Sequence, residues 1–427
     1  MIIHVVQRGD TLYKIAQNYG VSIDKLVQDN QLTYPNNLVV GQDIVVDVNT
    51  MQHTVLSGET LWKIANNYGV SLQSLIQANP QISNPDNIQV GQVINIPSSM
   101  QQQTPIEVNG YAIANISQTV LEQTLPNLTY LSIFSYQVKP DGSLYILYEQ
   151  NLINTARRYN VAPVMVVTNI GTSGGFDSDL AHTILTNMQV QNILINNIIQ
   201  TLQRKNYYGV DIDFEYIYPE DRQNYVNFLQ NLKNQLEPLG YYLSVAVAPK
   251  YRSNQSGILY EAHDYEQIGR IADRVIIMTY EWGYMYGPPM AVAPYSEVRS
   301  VIEYATSVIE PSKILMGMPN YAYDWTLPYV QGTPARALTN NAALNLAITK
   351  GSEIKFDERA QAPYFNYTDN SGRQHIVWFE NARSVQARLQ LVKDFNLAGI
   401  SYWTINNFWN VGYIVLNNMF DVIKLLP

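Results

Sequence analysis

From residue 106 to residue 427, eight short apolar segments alternate with stretches of helical periodicity: 108–112, 130–136, 162–170, 209–215, 243–249, 274–281, 314–321 and 399–406. Around the fourth, the helical pattern of 193–202 precedes it, and the pattern of 225–236 leads into the strand-like 242–248. Strand, helix, strand in this order implies parallel pairing, because neighbours that run the same way need a long crossover between them. Strands of a parallel sheet are covered on both faces. Eight such units predict an α/β fold, a TIM-type (β/α)8 barrel, with functional groups at the C-terminal ends of its strands. Residues 322–380 break the alternation with Tyr- and Asn-rich strand-like pieces, which reads as a small α+β insertion beside the barrel mouth.

The fourth segment carries the chemistry. Tyr208-Gly209-Val210-Asp211-Ile212-Asp213-Phe214-Glu215 sets three carboxylates two residues apart between apolar side chains. In a strand these acids share one face, with about 6.6 Å between same-face neighbours. On a solvated sheet such a row is ordinary. In a strand covered on both faces it is costly, unless the acids bond to one another and serve chemistry. Carboxylates packed this closely cannot all ionise at neutral pH, so the array retains a proton and titrates as a unit.

The N-terminal hundred residues repeat themselves. Gln7-Arg8-Gly9-Asp10-Thr11-Leu12-Tyr13-Lys14-Ile15-Ala16 returns as Leu56-Ser57-Gly58-Glu59-Thr60-Leu61-Trp62-Lys63-Ile64-Ala65, and Asn18-Tyr19-Gly20-Val21-Ser22 returns as Asn67-Tyr68-Gly69-Val70-Ser71. Thr11 and Thr60 stand where a helix N-cap is expected, and Gly20 and Gly69 where that helix ends. A second helix follows from Ser22 or Ser71. A short strand after Val40-Gly41-Gln42 or Val90-Gly91-Gln92 completes a β-α-α-β module. The expected organisation is a module at 1–48, a second at 51–97, a polar linker at 98–105 and the barrel at 106–427.

Composition narrows the partners. With 26 basic against 35 acidic residues, a net charge of −9 and no basic block, nucleic acid is not an expected partner. The 32 tyrosines suit a carbohydrate, because a phenol stacks on a sugar face and hydrogen-bonds its hydroxyls. Cysteine is absent, which leaves the redox compartment open. Neither a signal peptide nor a membrane-spanning run is visible, so no membrane role is expected. The five histidines show no metal-ligand spacing, and Thr172-Ser173-Gly174-Gly175 lacks the spacing and lysine of a phosphate loop. The acidic run lacks the glycine and terminal glutamate of a calcium loop. Neither a metal nor a cofactor is expected.

The two repeats resemble the LysM family, modules that bind the N-acetylglucosamine backbone of peptidoglycan or chitin. The resemblance implies glycan contacts from the loop entering the first helix (Gly9, Asp10, Thr11; Gly58, Glu59, Thr60) and from the loop after the second helix, around Asn30 and Asn79. The barrel resembles glycoside hydrolase family 18, the chitinases and related N-acetylglucosaminidases. That likeness rests on the Asp211/Asp213/Glu215 run, Met278-Thr279-Tyr280-Glu281, Gly317-Met318-Pro319-Asn320-Tyr321 and Ile400-Ser401-Tyr402-Trp403.

Within that family Glu215 would protonate the leaving oxygen. Asp213 would orient the substrate acetamide, Asp211 would share a proton with Asp213, and Tyr280 would donate to the acetamide. Trp403 would floor the sugar ring, with Tyr111, Glu281 and Tyr321 as further sugar contacts. Two positions depart from the family pattern: Tyr208 and Glu281 both stand where Asp is usual. Tyr208, far from the acids, should affect packing, whereas Glu281 should affect sugar recognition. Joining such modules to such a barrel resembles wall-lytic enzymes of endospore-forming bacteria, and implies a protein of the spore coat and cortex layers acting on cortex glycan during germination. A chitinase-like lectin, a spore-coat structural protein held by its LysM repeats, and a chitinase acting on other chitin remain as alternatives.

Overall fold

The computed structural model describes residues 1–426 apart from 48–49, 69, 71, 78, 80, 81, 83, 86 and 98–102. Gly69, Ser71 and most of the expected linker therefore lie outside the described residues. The first module is β1 (Ile2–Val5), α1 (Leu12–Tyr19), α2 (Ile23–Asp29) and β2 (Asp43–Val46), with β1 and β2 antiparallel. The second repeats it as β3 (Thr50–Thr54), α3 (Leu61–Asn67), α4 (Leu72–Gln77) and β4 (Val93–Pro97). Thr11 and Thr60 cap their helices by accepting the backbone N–H of Lys14 and Lys63, and Gly20 ends α1 in the left-handed region at φ 65°.

The barrel begins with β5 (Thr104–Ile113), so Thr104 and Pro105, read above as linker, are strand. They pair with a late strand, Phe420–Val422. In chain order follow α5 (Gln118–Thr124), β6 (Tyr130–Gln137), α6 (Gln150–Arg158), β7 (Ala162–Thr168), α7 (Ser178–Thr186), α8 (Met188–Lys205), β8 (Gly209–Asp213), α9 (Arg222–Leu236), β9 (Tyr242–Val247), α10 (Tyr265–Ile271), β10 (Arg274–Ile277), α11 (Tyr295–Val308) and β11 (Ile314–Pro319). The insertion supplies β12 (Ala322–Leu327), β13 (Arg336–Leu338), α12 (Asn340–Lys350), β14 (Lys355–Asp357), β15 (Ala362–Thr368) and β16 (Gln374–Trp378) in one antiparallel sheet. The chain then returns through α13 (Ala382–Asp394), β17 (Gly399–Trp403), α14 (Asn410–Met419) and β18 (Phe420–Val422).

Strands β5 to β11 and β17 are parallel neighbours, and β17 pairs with β5 to close the circle. All eight expected strands are present. Every residue of β7, β8, β9 and β11 is buried, as expected of strands covered by helices outside and by side chains within. The interior is layered. At the N-terminal end Arg274 donates to Glu107, which also accepts the Tyr130 hydroxyl, and Tyr208 packs there with Tyr130 and Tyr242. Tyr208 is thus a packing residue remote from the acids, as its position implied. Above that layer Asn109 donates to Ser401 and accepts from Ser132. Above it again stand Tyr111, Val166, Ala246, Ile276 and Leu315, beneath the mouth.

The first module is docked on this barrel. Val45 belongs to the barrel's main apolar core, and Val39 packs into the core of the insertion. Arg383 of α13 donates through Nε and its backbone N–H to Asp43, at 2.8 and 3.0 Å, and Ile354 N–H donates to Val40 C=O. The second module's apolar core contains residues of that module alone. Among the described residues no helix is long and apolar enough to cross a membrane.

Gly41 and Gly91 occupy the same place in the two repeats, at φ 83° and 87°. A methyl group on Gly41 would overlap the carbonyl of Ile354, whereas one on Gly91 would meet nothing. Gly91→Ala is expected to cost about 1 kcal/mol from backbone strain alone. Gly41→Ala should cost at least twice that and release the first module from the barrel. Thermal unfolding and limited proteolysis of the two variants check this, and equal effects would contradict the docking.

Candidate active site

Asp211 and Asp213 point from β8 into the barrel, while Val210 and Ile212 join the outer core. Asp211 is fully buried. Its Oδ2 accepts the Tyr111 hydroxyl at 2.6 Å and its Oδ1 the Ser244 hydroxyl at 2.7 Å. Burial pushes its carboxyl up to about 6, although both hydroxyl bonds favour the charged form. Asp213 lies one layer higher. Burial, then the charges of Glu215 and Asp211, hold it well above the ordinary carboxylate range, and its Oδ1 has no hydrogen-bond partner among the described residues. An unpaired buried oxygen is costly in a finished core, and this one faces the mouth of the barrel.

Glu215 lies two residues past the end of β8, where ladder pairing has stopped. Asn169, just past β7, takes over that role. Its Oδ1 accepts the Glu215 N–H at 2.9 Å, and its Nδ2 donates to the Glu215 C=O at 2.8 Å and to the Asp177 C=O at 3.1 Å. One residue earlier, His263 Nδ1 accepts from Ala248 N–H, which leaves the ring proton on Nε2 to donate to the Phe214 C=O at 3.0 Å. Burial pushes His263 down to about 4, so it holds this neutral form. Neither Asn169 nor His263 was found by sequence reasoning. No spacing rule marks them, because they are 46 and 49 residues from their partners. Burial also raises the Glu215 carboxyl.

A cleft of about 710 Å³ opens above these acids, lined by Asp213, Glu215, Tyr280, Glu281, Tyr321 and Trp403 among others. Trp403 packs edge-on against Phe134 and Tyr111, with ring centres 5.0 and 5.5 Å away. The Tyr280 hydroxyl makes no hydrogen bond to another described residue, and burial beside Asp213 and Glu215 keeps its proton in place. Glu281 accepts the hydroxyls of Tyr321 and Tyr323, which ties the cleft wall to β12 of the insertion. Tyr216 and Glu281, both at the cleft, hold φ of 54° and 67°, a region that bulky side chains seldom adopt.

Tyr111, expected as a sugar contact, is among the residues that line the cleft, and its hydroxyl donates to Asp211, so it also supports the acid beneath. Two expectations need correction. Asn30, expected to touch glycan, is buried: its amide donates to Leu26 C=O and Val45 C=O and accepts Val45 N–H, which splices α2 to β2. Asn79 is fully buried and makes the equivalent bonds to Leu75 and Asn95. Both are structural. The first-helix loops stay at the surface, with Gly9 and Gly58 at φ 92° and 83°. Asp10 and Glu59 close these loops by accepting the N–H of Gln7 and Leu56, braced by His4 and His53, which sequence reasoning passed over.

A closed parallel barrel with an inward row of carboxyls at its fourth strand, opening on an aromatic cleft, defines a glycoside hydrolase. The chain belongs to glycosyl hydrolases family 18, whose model matches residues 107–407, and LysM domain models match 4–47 and 53–97. It is 40% identical to the cortical fragment-lytic enzyme of Bacillus subtilis (strain 168), over 99% of both chains. Against that of Bacillus anthracis it is 41% identical over 98% of both. The crystal structure of the spore cortex-lytic enzyme SleL of Bacillus megaterium QM B1551 superposes with a TM-score of 0.90 at 39% identity, covering 99% of each chain.

Because Asn169 bonds both the N–H and the C=O of Glu215, Asn169→Ala should lower kcat about tenfold to a hundredfold with little change in KM. Asn169→Asp, which keeps the acceptor and loses the donor, should fall between wild type and Asn169→Ala. Steady-state kinetics on a soluble N-acetylglucosamine oligosaccharide checks this. A change confined to KM would count against a role in holding Glu215.

Proposed function

We propose that this protein hydrolyses N-acetylglucosaminyl linkages of peptidoglycan in the spore cortex during germination, with retention of configuration and with the substrate's own acetamide as nucleophile. The observation that carries the reading is the unpartnered Asp213 oxygen in one cleft with the Glu215 carboxyl, in a chain alike end to end to cortical fragment-lytic enzymes.

Glu215, kept protonated by burial, gives its proton to the glycosidic oxygen as the bond to C1 breaks. The acetamide oxygen of the same sugar attacks C1 from the other face and forms a cyclic oxazolinium ion. Asp213 accepts the acetamide N–H and offsets the positive charge, and Asp211 holds the proton it shares with Asp213. Water then attacks C1, Glu215 removes its proton, the ring opens and the acetamide is restored. Two inversions at C1 amount to retention, and the sugar supplies the nucleophile that a second carboxylate gives in ordinary retaining enzymes.

Tyr280, whose hydroxyl is otherwise unused, donates to the acetamide oxygen. Trp403 floors the ring, while Glu281 and Tyr321 bound the sugar from the insertion side. The module loops at Gly9, Asp10 and Thr11 and at Gly58, Glu59 and Thr60 hold neighbouring glycan and bring the barrel to the wall. The location that fits is the spore coat and cortex layers.

Mass spectrometry of cortex muropeptides after digestion tests this directly. Wild type should release fragments with N-acetylglucosamine at the reducing end, and Glu215→Gln should lower turnover by about a hundredfold or more. If neither cleaves while binding persists, the glycan-binding or coat-protein reading replaces this one. The acid must carry its proton, and its folded pKa is raised, so activity is retained above the ordinary carboxylate range and lost as pH rises through the raised pKa. A kcat/KM profile that already fell at the ordinary carboxylate pKa would contradict the assignment.

A further inference from the structure

A second depression, of about 520 Å³, lies where α2 of the first module meets the barrel, between α5, the start of α12 and the loop before α14. Eight of its twelve lining side chains are carboxamides and none is charged, in a chain whose net charge is −9. Phe408 and Trp409 add apolar surface. Carboxamides donate and accept equally well, which suits sugar hydroxyls and acetamido groups and offers nothing to a phosphate or a metal ion.

Part of this amide set is spent on the interface itself. Gln31 Oε1 accepts the Asn410 N–H at 2.7 Å and the Asn341 amide at 3.1 Å. Gln28 of the module and Gln123 of α5, on opposite walls, are exposed and make no side-chain hydrogen bond to a described residue. The depression also adjoins the catalytic cleft, since Asn320 and Asn407 line both. Asn320 is buried and donates to the carbonyls of Thr404 and Asn407 at 3.0 Å each, so the ridge between the two hollows is fixed. The Asp43–Arg383 pair and the Val40–Ile354 bond hold the module in place, so this groove exists before any ligand arrives.

We propose that this groove is a remote glycan subsite, built jointly by the first module and the barrel, that takes uncharged N-acetylated sugars of the same strand that occupies the catalytic cleft. The proposal rests on the function proposed above. It makes the first module part of the substrate-binding surface of the enzyme, in addition to any tethering role. Strands long enough to reach from the cleft into the groove gain binding that short ones do not.

The test compares full-length wild type with Gln28→Ala, Gln123→Ala and the double variant on cortex glycan fragments separated into short (four-sugar) and long size classes. Wild type should show a higher kcat/KM on the long class. The double variant should lose about tenfold on long fragments through KM, and less than about twofold on short ones. Gln123→Trp, which fills the groove from the barrel side, should do the same. Equal losses on both lengths, no loss on long fragments, or no length preference in wild type would each overturn the subsite while leaving the hydrolase reading intact. Failure of wild type to cut either length would sink the hydrolase reading, and the subsite with it.

Discussion

Closure of the sheet, with β17 laid against β5, is the constraint on which the remaining structure depends. It requires Gly399, because a side chain there would run into the Glu107 carbonyl of the neighbouring strand. Once the circle is closed, the interior is filled by side chains from alternate strand positions. Asp211 and Asp213 are then largely withdrawn from solvent. Their elevated proton affinity follows from that enclosure more than from any single neighbour, since burial leads the causes for both. The enclosure that makes buried acids costly is also what raises their affinity for a proton.

Rigidity around these acids comes mostly from groups outside the cleft. Beyond Asp213 the ladder ends, and a free loop would leave Glu215 without a set position. Asn169 imitates a strand partner there, and neutral His263 fixes the preceding carbonyl. Beneath, Tyr111 and Ser244 occupy both oxygens of Asp211, which leaves Asp213 as the acid with an uncommitted oxygen. The first LysM module extends the same scheme outward: its docking on α13 and the insertion turns a separable repeat into a wall of the enzyme.

The period of the apolar pattern made the eight strands legible, and the two-residue spacing of the acids placed Asp211 and Asp213 on the inner face. Internal repetition likewise exposed both modules and their Thr11 and Thr60 caps. The errors have a common source. Asn30 and Asn79 stand in surface-like loops by sequence, yet their amides close the module core, and only the folded position of Val45 or Asn95 shows it. Tyr111 reads as a sugar-facing aromatic, and only the fold shows that its hydroxyl also meets Asp211, a hundred residues away. His4 and His53 show no metal-ligand spacing, and only the fold reveals that each braces an acid six residues on.

The sequence by itself determined the barrel, the paired modules and the row of acids on one strand face, because these rest on local periodicity and on residues close together in the chain, while the family came from the resemblance of separate motifs to known ones. Only the tertiary structure decided which acid is left unpaired, what holds Glu215 beyond its strand, and which of two similar modules is built into the barrel. Gly41 and Gly91 carry the same motif and nearly the same backbone angle, and they differ only in whether Ile354 stands opposite. Contacts of that kind join residues hundreds of positions apart, and no spacing along a chain encodes them.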